Sequence, residues 1–299
     1  MKIRTVSEEL KRVYGQKILK LSLSSGCTCP NRDGTKGFGG CSFCAETGSG
    51  EFAASYAPVK EQIESAKRLV DKKFPKEMAP SDRKYIAYFQ SYTNTYGDAG
   101  RLKQLYGEVL SFPEIAGLSV GTRPDCLPDE MIRMLAHLNL CKPVWVELGL
   151  QTIHERTAEA FGRGYTLPVF SDAYRRLKEA GLTVIVHVIL GLPGETREDM
   201  LETVRYLAGL TPVLDGIKLH LLYILSGTRL AEEYAAQPFP MMTADEYTDL
   251  VVDCLKELPE ETVIHRMTGD PPKRLLIGPK WSADKKRVLN LLNRKIREA

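Results

Sequence analysis

Cys27-Thr28-Cys29-Pro30-Asn31-Arg32-Asp33-Gly34-Thr35-Lys36-Gly37-Phe38-Gly39-Gly40-Cys41-Ser42-Phe43-Cys44 holds four of the chain's seven cysteines. Such density inside a Gly-rich loop needs a cause. Glycines let the loop wrap tightly and Pro30 stiffens its start, so that several thiolates can converge. Three readings compete. A disulfide pair would suit a secreted chain, and nothing marks this one as secreted. A structural zinc site would use all four thiolates, with Cys41-x-x-Cys44 as one arm. A [4Fe–4S] cluster held by three cysteines would leave one iron open for chemistry. The loop alone leaves zinc and cluster open, and the surrounding chain has to choose.

Working outward, the loop follows a short apolar strand, Lys17 to Ser22. Downstream, Val59, Ile63, Ala66, Val70 and Phe74 recur at helical spacing up to Pro75. Further strands are expected at Tyr85–Phe89, Ile115–Val120, Val144–Leu150, Thr183–Leu190 and Gly216–Tyr223, with a short strand-like run at Val263–Arg266. Helical stretches separate them, at about Pro128–His137, Phe170–Ala180 and Ala244–Leu258. Apolar strands alternating with amphipathic helices imply a parallel sheet wrapped by helices. Polar and Gly-rich motifs fall at the C-terminal ends of these strands, where a barrel of this type carries its active site. Six clear strands predict an α/β fold, a partial (β/α)6-type TIM-like barrel. Residues 1–16 are expected as a polar N-terminal extension, 17–268 as the barrel and 269–299 as a basic C-terminal extension.

Hydrophobic content of 43% and charged content of 26% are ordinary for a globular protein. The first residues contain no apolar signal region, and the longest apolar run, Val184 to Leu192, is too short to span a bilayer. A cytoplasmic protein with reduced thiols and no membrane partner is expected. The net charge of +3 is unevenly spread. From Lys273 to Ala299 nine basic residues face two acidic ones, a local +7, while the preceding residues carry 32 basic and 36 acidic groups, or −4. Trp281 to Arg297 reads as a helix with an apolar stripe through Val288, Leu291, Leu292 and Ile296, flanked by Lys285, Lys286, Arg287, Arg294, Lys295 and Arg297. Such a helix either packs on the barrel with a solvated basic side or adds RNA backbone contacts, for which a local +7 beside a net-negative barrel is the expected electrostatic footprint.

Together with the cysteine loop, Gly121-Thr-Arg-Pro-Asp-Cys126, Glu147-Leu-Gly-Leu-Gln151, Gly162-Arg-Gly-Tyr-Thr166 and Gly191-Leu-Pro-Gly-Glu195 resemble the radical S-adenosylmethionine (radical SAM) enzymes. Within them the chain resembles the elongator-catalytic-subunit branch and its small YtqA/YhcC-type members. The resemblance implies a [4Fe–4S] cluster and S-adenosyl-L-methionine as cofactors, and a reducing partner such as flavodoxin or ferredoxin. It also implies tRNA as partner, with a wobble uridine side chain as target. The family's Cys-Pro start fits Cys29-Pro30, giving Cys29, Cys41 and Cys44 as cluster ligands and catalytic residues. The interval before Cys41 is longer than the widespread family spacing, and the choice between Cys27 and Cys29 stays open here.

The same resemblance implies roles in SAM binding. Phe43 would cover the adenine. Gln90 and Ser91 stand where many relatives carry a Gly-Gly-Glu contact. Glu147 and Gln151 would meet the ribose or amino group, Arg163 the carboxylate, and Gly191 would complete the set. His187 and His220 are either satisfied core histidines or cavity residues, and Cys126 lies near the expected mouth. Tyr92, Tyr96 and Tyr223 follow strand ends. Cys141 and Cys254 read as buried thiols. The alternatives are a zinc-stabilised RNA-binding protein without catalysis, or a radical SAM enzyme with a non-tRNA substrate.

Overall fold

In a computed structural model, which describes residues 1–48, 53 and 55–299, eight parallel strands form one sheet that curls into a half-barrel. They are β1 (Arg4–Thr5), β2 (Ile18–Leu23), β3 (Lys84–Phe89), β4 (Ile115–Thr122), β5 (Val144–Gln151), β6 (Thr183–Leu190), β7 (Gly216–Leu221) and β9 (Val263–Arg266). The spatial order is β1-β9-β7-β6-β5-β4-β3-β2, leaving β1 and β2 as open edges. A separate antiparallel pair joins β8 (Ile224–Leu225) to β10 (Leu276–Gly278).

Alternation along each strand decides which side chain faces where. In β5, Val144, Val146, Leu148 and Leu150 join the main core between sheet and helices. Glu147, Gly149 and Gln151 face the hollow side of the curl. The same division puts Leu21 and Leu23 of β2 in the core but Lys20 and Ser22 inside, and Val186 and Val188 of β6 in the core but His187 inside. Helices α2 (Val59–Val70), α3 (Ala99–Ser111), α4 (Asp129–Asn139), α6 (Leu167–Glu179), α7 (Arg197–Ala208) and α9 (Ala244–Glu257) bury their apolar stripes against the outer face, while α5 (Glu155–Ala160) and α8 (Arg229–Ala236) share a smaller apolar cluster through Ala158, Leu230 and Ala231.

Two segments outside the six expected strands belong to the same body. Residues 1–16, expected to precede the barrel, supply β1, which pairs with β9 through Arg4↔Val263 and Thr5↔Ile264, and a capped helix α1 (Val6–Tyr14). Helix α10 (Lys285–Glu298) packs on α9 through Val288, Leu292 and Ile296, all buried. Leu291 of the expected stripe is only half-buried. Cys254 is fully buried as expected, whereas Cys141, placed in the turn between α4 and β5, is exposed. The turn must reverse the chain at the surface, so an apolar residue type there does not reach the core.

Candidate active site

The hollow of the half-barrel is a cavity of about 670 Å³. Cys29, Cys41 and Cys44 line it, together with Phe43, Gln90, Glu147, Gln151 and Arg163. Ser91 and Gly191, expected with them, do not: Ser91 is buried behind the β3 end, and the Gly191 amide lies 3.0 Å from Met200 Sδ. Gly191 has φ 93, and a Cβ there would meet Met242 Cε at 2.9 Å, which is reason enough for glycine.

Cys27 goes elsewhere. It is buried in the main core, and Arg101 Nη2 donates to its sulfur at 3.2 Å while Nη1 donates to the Ser25 carbonyl at 2.8 Å. The cysteine loop is held from both sides. Arg32 Nη2 donates to the carbonyls of Cys44 (2.9 Å) and Ala45 (2.6 Å), and Gly40 at φ 85 leaves room for that guanidinium. Asn31 Nδ2 donates to the carbonyls of Gly162 (2.7 Å) and Arg163 (3.2 Å) and lies 3.7 Å from Cys41 Sγ. Gly164 sits where a Cβ would be 2.8 Å from Asn31 Oδ1. Burial, then neighbouring Cys44, pushes the Cys41 thiol up to about 12.

Among the described residues no three cysteine sulfurs lie within 4.8 Å of one another. A single tetrahedral zinc, with bonds of about 2.3 Å, needs sulfurs roughly 3.8 Å apart. Three thiols lining one cavity suit the larger cube of a cluster, whose ligands are thiolates.

Arg163 is buried, and its guanidinium is turned into the protein. Nε donates to the Tyr165 carbonyl (2.9 Å), Nη1 to those of Leu150 (3.2 Å) and Thr152 (2.6 Å), and Nη2 to Glu155 Oε2 (3.0 Å). It thereby fixes the end of β5. Gln151 there adopts φ 67 and accepts from Tyr165 Oη at 3.1 Å, with its amide group at the cavity. Phe43 packs on Phe161 with ring centroids 5.1 Å apart.

Glu147 is the hub of a polar belt across the inner face. Its carboxylate accepts from Lys20 Nζ (2.7 Å), Ser119 Oγ (2.6 Å), His187 Nε2 (2.8 Å) and Lys218 Nζ. Lys218 Nζ also donates to Tyr88 Oη at 3.0 Å, and Lys20 lies over the Tyr88 ring. Burial alone would raise the Glu147 carboxyl, but Lys20, Lys218 and His187 outweigh it and hold it well below the usual range. Burial, with Lys218 adding to it, lowers His187 to about 4. Sequence reading missed Lys20, Lys218, Tyr88, Ser119 and Arg266 as site residues. The signal for Lys218 was available: a lysine inside the apolar strand Gly-Ile-Lys-Leu-His-Leu is as costly as the glutamate that did draw notice.

The radical SAM superfamily profile matches residues 25–207, and the Radical_SAM C-terminal domain profile matches 214–298. The chain belongs to the radical SAM superfamily. It is 40% identical to YtqA of Bacillus subtilis over 98% of this chain and 88% of that one. It is 35% identical to YhcC of Escherichia coli K12 over 91% of this chain and 85% of that one. The fold is also that of archaeal Elp3 from Methanocaldococcus infernus, at 18% identity and a TM-score of 0.64, covering 79% of this chain and 59% of that one. This radical SAM protein is of the YtqA/YhcC type, and its cofactors are a [4Fe–4S] cluster and S-adenosylmethionine. The zinc-scaffold reading is thereby excluded. Among the described residues, no helix is long and apolar enough to cross a membrane.

Proposed function

We propose that this radical SAM enzyme modifies tRNA, at a wobble uridine side chain, with Cys29, Cys41 and Cys44 as the cluster ligands. The observation that carries the ligand assignment is that these three thiols, and not Cys27, line the cavity. When bound, the cluster and SAM supply reductive cleavage of the sulfonium and hydrogen abstraction from the substrate. The chain's own residues do the rest. Asn31 and Arg32 hold the cysteine loop on the rim. Phe43, Gln90 and Gln151 offer one apolar face and two amide groups for SAM. Arg163, with its donors spent on the carbonyls of Leu150, Thr152 and Tyr165 and on Glu155, acts through Gln151 and Tyr165 rather than as a free fork. Glu147 keeps the cations of the belt in place. Ser91 and Gly191 shape the strand ends from behind.

The tRNA assignment draws on the elongator-branch resemblance and on the basic surface of α10. A flavodoxin- or ferredoxin-like protein would supply the electron. Nucleoside mass spectrometry of tRNA from a deletion strain tests the substrate. The expected result is loss of one modified uridine, with a precursor accumulating. An unchanged nucleoside profile under all growth conditions tried would turn the assignment to a non-tRNA substrate.

A further inference from the structure

On the side of the cavity formed by β7 and β9, polar side chains converge without partners among the described residues. Arg266 lines the cavity, and its guanidinium makes no hydrogen bond or ion pair with any described residue. His220, on the same face of β7 as Lys218, has its Nε2 buried and unpartnered among the described residues. The Tyr223 hydroxyl lies buried beside Thr268 and the Gly269 amide without a well-formed bond to either. Register pairs Lys218 with Arg266 across β7 and β9, and the His220 ring sits 5.0 Å from that of His187.

The charge count points the same way. Lys20, Lys218 and Arg266 share this floor with Glu147, already engaged by two of them, while the other carboxylate at the cavity, Asp270, is exposed and paired with Lys285. Burial, then Arg266, His187 and Lys218, pushes His220 well down, outweighing the opposite pull of Glu147. Buried polar atoms without partners are costly, and the half-buried Arg266 has no counter-ion among the described residues. A bound anion would relieve both at once.

We propose that Arg266, His220 and Tyr223 form a subsite for an oxyanion, a carboxylate or phosphate group carried by the substrate, with Lys218 behind it. The planar guanidinium suits two oxygens, and the phenol and imidazole close the remaining sides. The inference rests on this cavity being the substrate site of the radical SAM enzyme, but not on the substrate being tRNA. It assigns a chemical feature the substrate must have at its inner end.

The test uses the anaerobically reconstituted holoprotein, with acetate and inorganic phosphate as probes against chloride at matched ionic strength. Thermal unfolding and the imidazole NMR signals of His220 are followed. Either probe should raise the unfolding midpoint and move the His220 signals. Arg266→Gln should weaken that response about tenfold or more, the size expected for loss of a charge-assisted bond. Tyr223→Phe, which keeps the ring and its packing, should weaken it less. A response to acetate alone assigns a carboxylate, and one to phosphate alone a phosphate ester. SAM affinity should be the same in wild type and Arg266→Gln. Equal anion responses in wild type and Arg266→Gln would overturn the proposal. So would a loss of SAM affinity in that variant, because the donors would then serve SAM itself. No tRNA enters the experiment, so its failure is separate from failure of the tRNA assignment.

Discussion

A buried glutamate surrounded by two lysines and a histidine makes Glu147 the residue on which the inner face depends. Its contacts give stability a pH signature. His187 is held near 4 in the fold, below the ordinary histidine value of 6.5. Between those values the unfolded chain binds the proton and the folded one does not, so stability falls as pH drops from about 6.5 to 4. That gap is worth on the order of 3 kcal/mol. The expected outcome is a decline in unfolding free energy across this window, measured by urea titration, and a shallower decline in His187→Asn. An equal slope in both proteins would show that His187 is not the group responsible. Glu147, with its carboxyl held low, adds a further loss only below its ordinary value of 4.5. At this scale the sequence marked Glu147, Gln151 and the histidines as out of place in apolar strands. It did not show that Glu147 is occupied from four sides, because its partners come from β2, β4, β6 and β7.

Helix α10 is the element where charge and packing separate most clearly. Its buried edge, Val288, Leu292 and Ile296, was legible from spacing alone. Which basic residues remain available was not. Lys295 Nζ lies 3.2 Å from Asp245 and 2.7 Å from Asp249, and its side chain is 15% exposed. Lys286, Arg287, Arg294 and Arg297 stay exposed, and Lys285, beside Asp270, reaches the cavity rim. If four of these meet phosphates of a single-stranded loop, log Kd against log salt should have a slope near 3 in magnitude, about 0.7 per contact. Replacing Lys285, Lys286, Arg287 and Arg294 by Gln should flatten the slope and weaken tRNA binding, read by filter binding across salt concentrations. Cluster content should not change, since the apolar edge is intact. Identical affinity and slope in both proteins would reduce α10 to a packed helix.

For the whole molecule, the chain's βα alternation announced a parallel half-barrel, and six of its strands were readable as apolar runs. The outermost pairing was not. Arg4–Thr5 is two residues long and carries no hydrophobic pattern, so only its docking on β9 reveals it as a strand. The choice among cysteines also needed the assembled fold: Cys27 and Cys29 are two residues apart, yet one is fixed by Arg101 in the core and the other faces the cavity. That division is the centre of the account, because everything proposed for the cavity begins at its three thiols. The most direct test is iron content and EPR of the reduced, anaerobically reconstituted protein, comparing single alanine variants of Cys27, Cys29, Cys41 and Cys44. Wild type and Cys27→Ala should give a full [4Fe–4S] signal, altered by added SAM, and each of the other three variants should lose it. A signal that survives in Cys29→Ala and vanishes in Cys27→Ala would contradict that division.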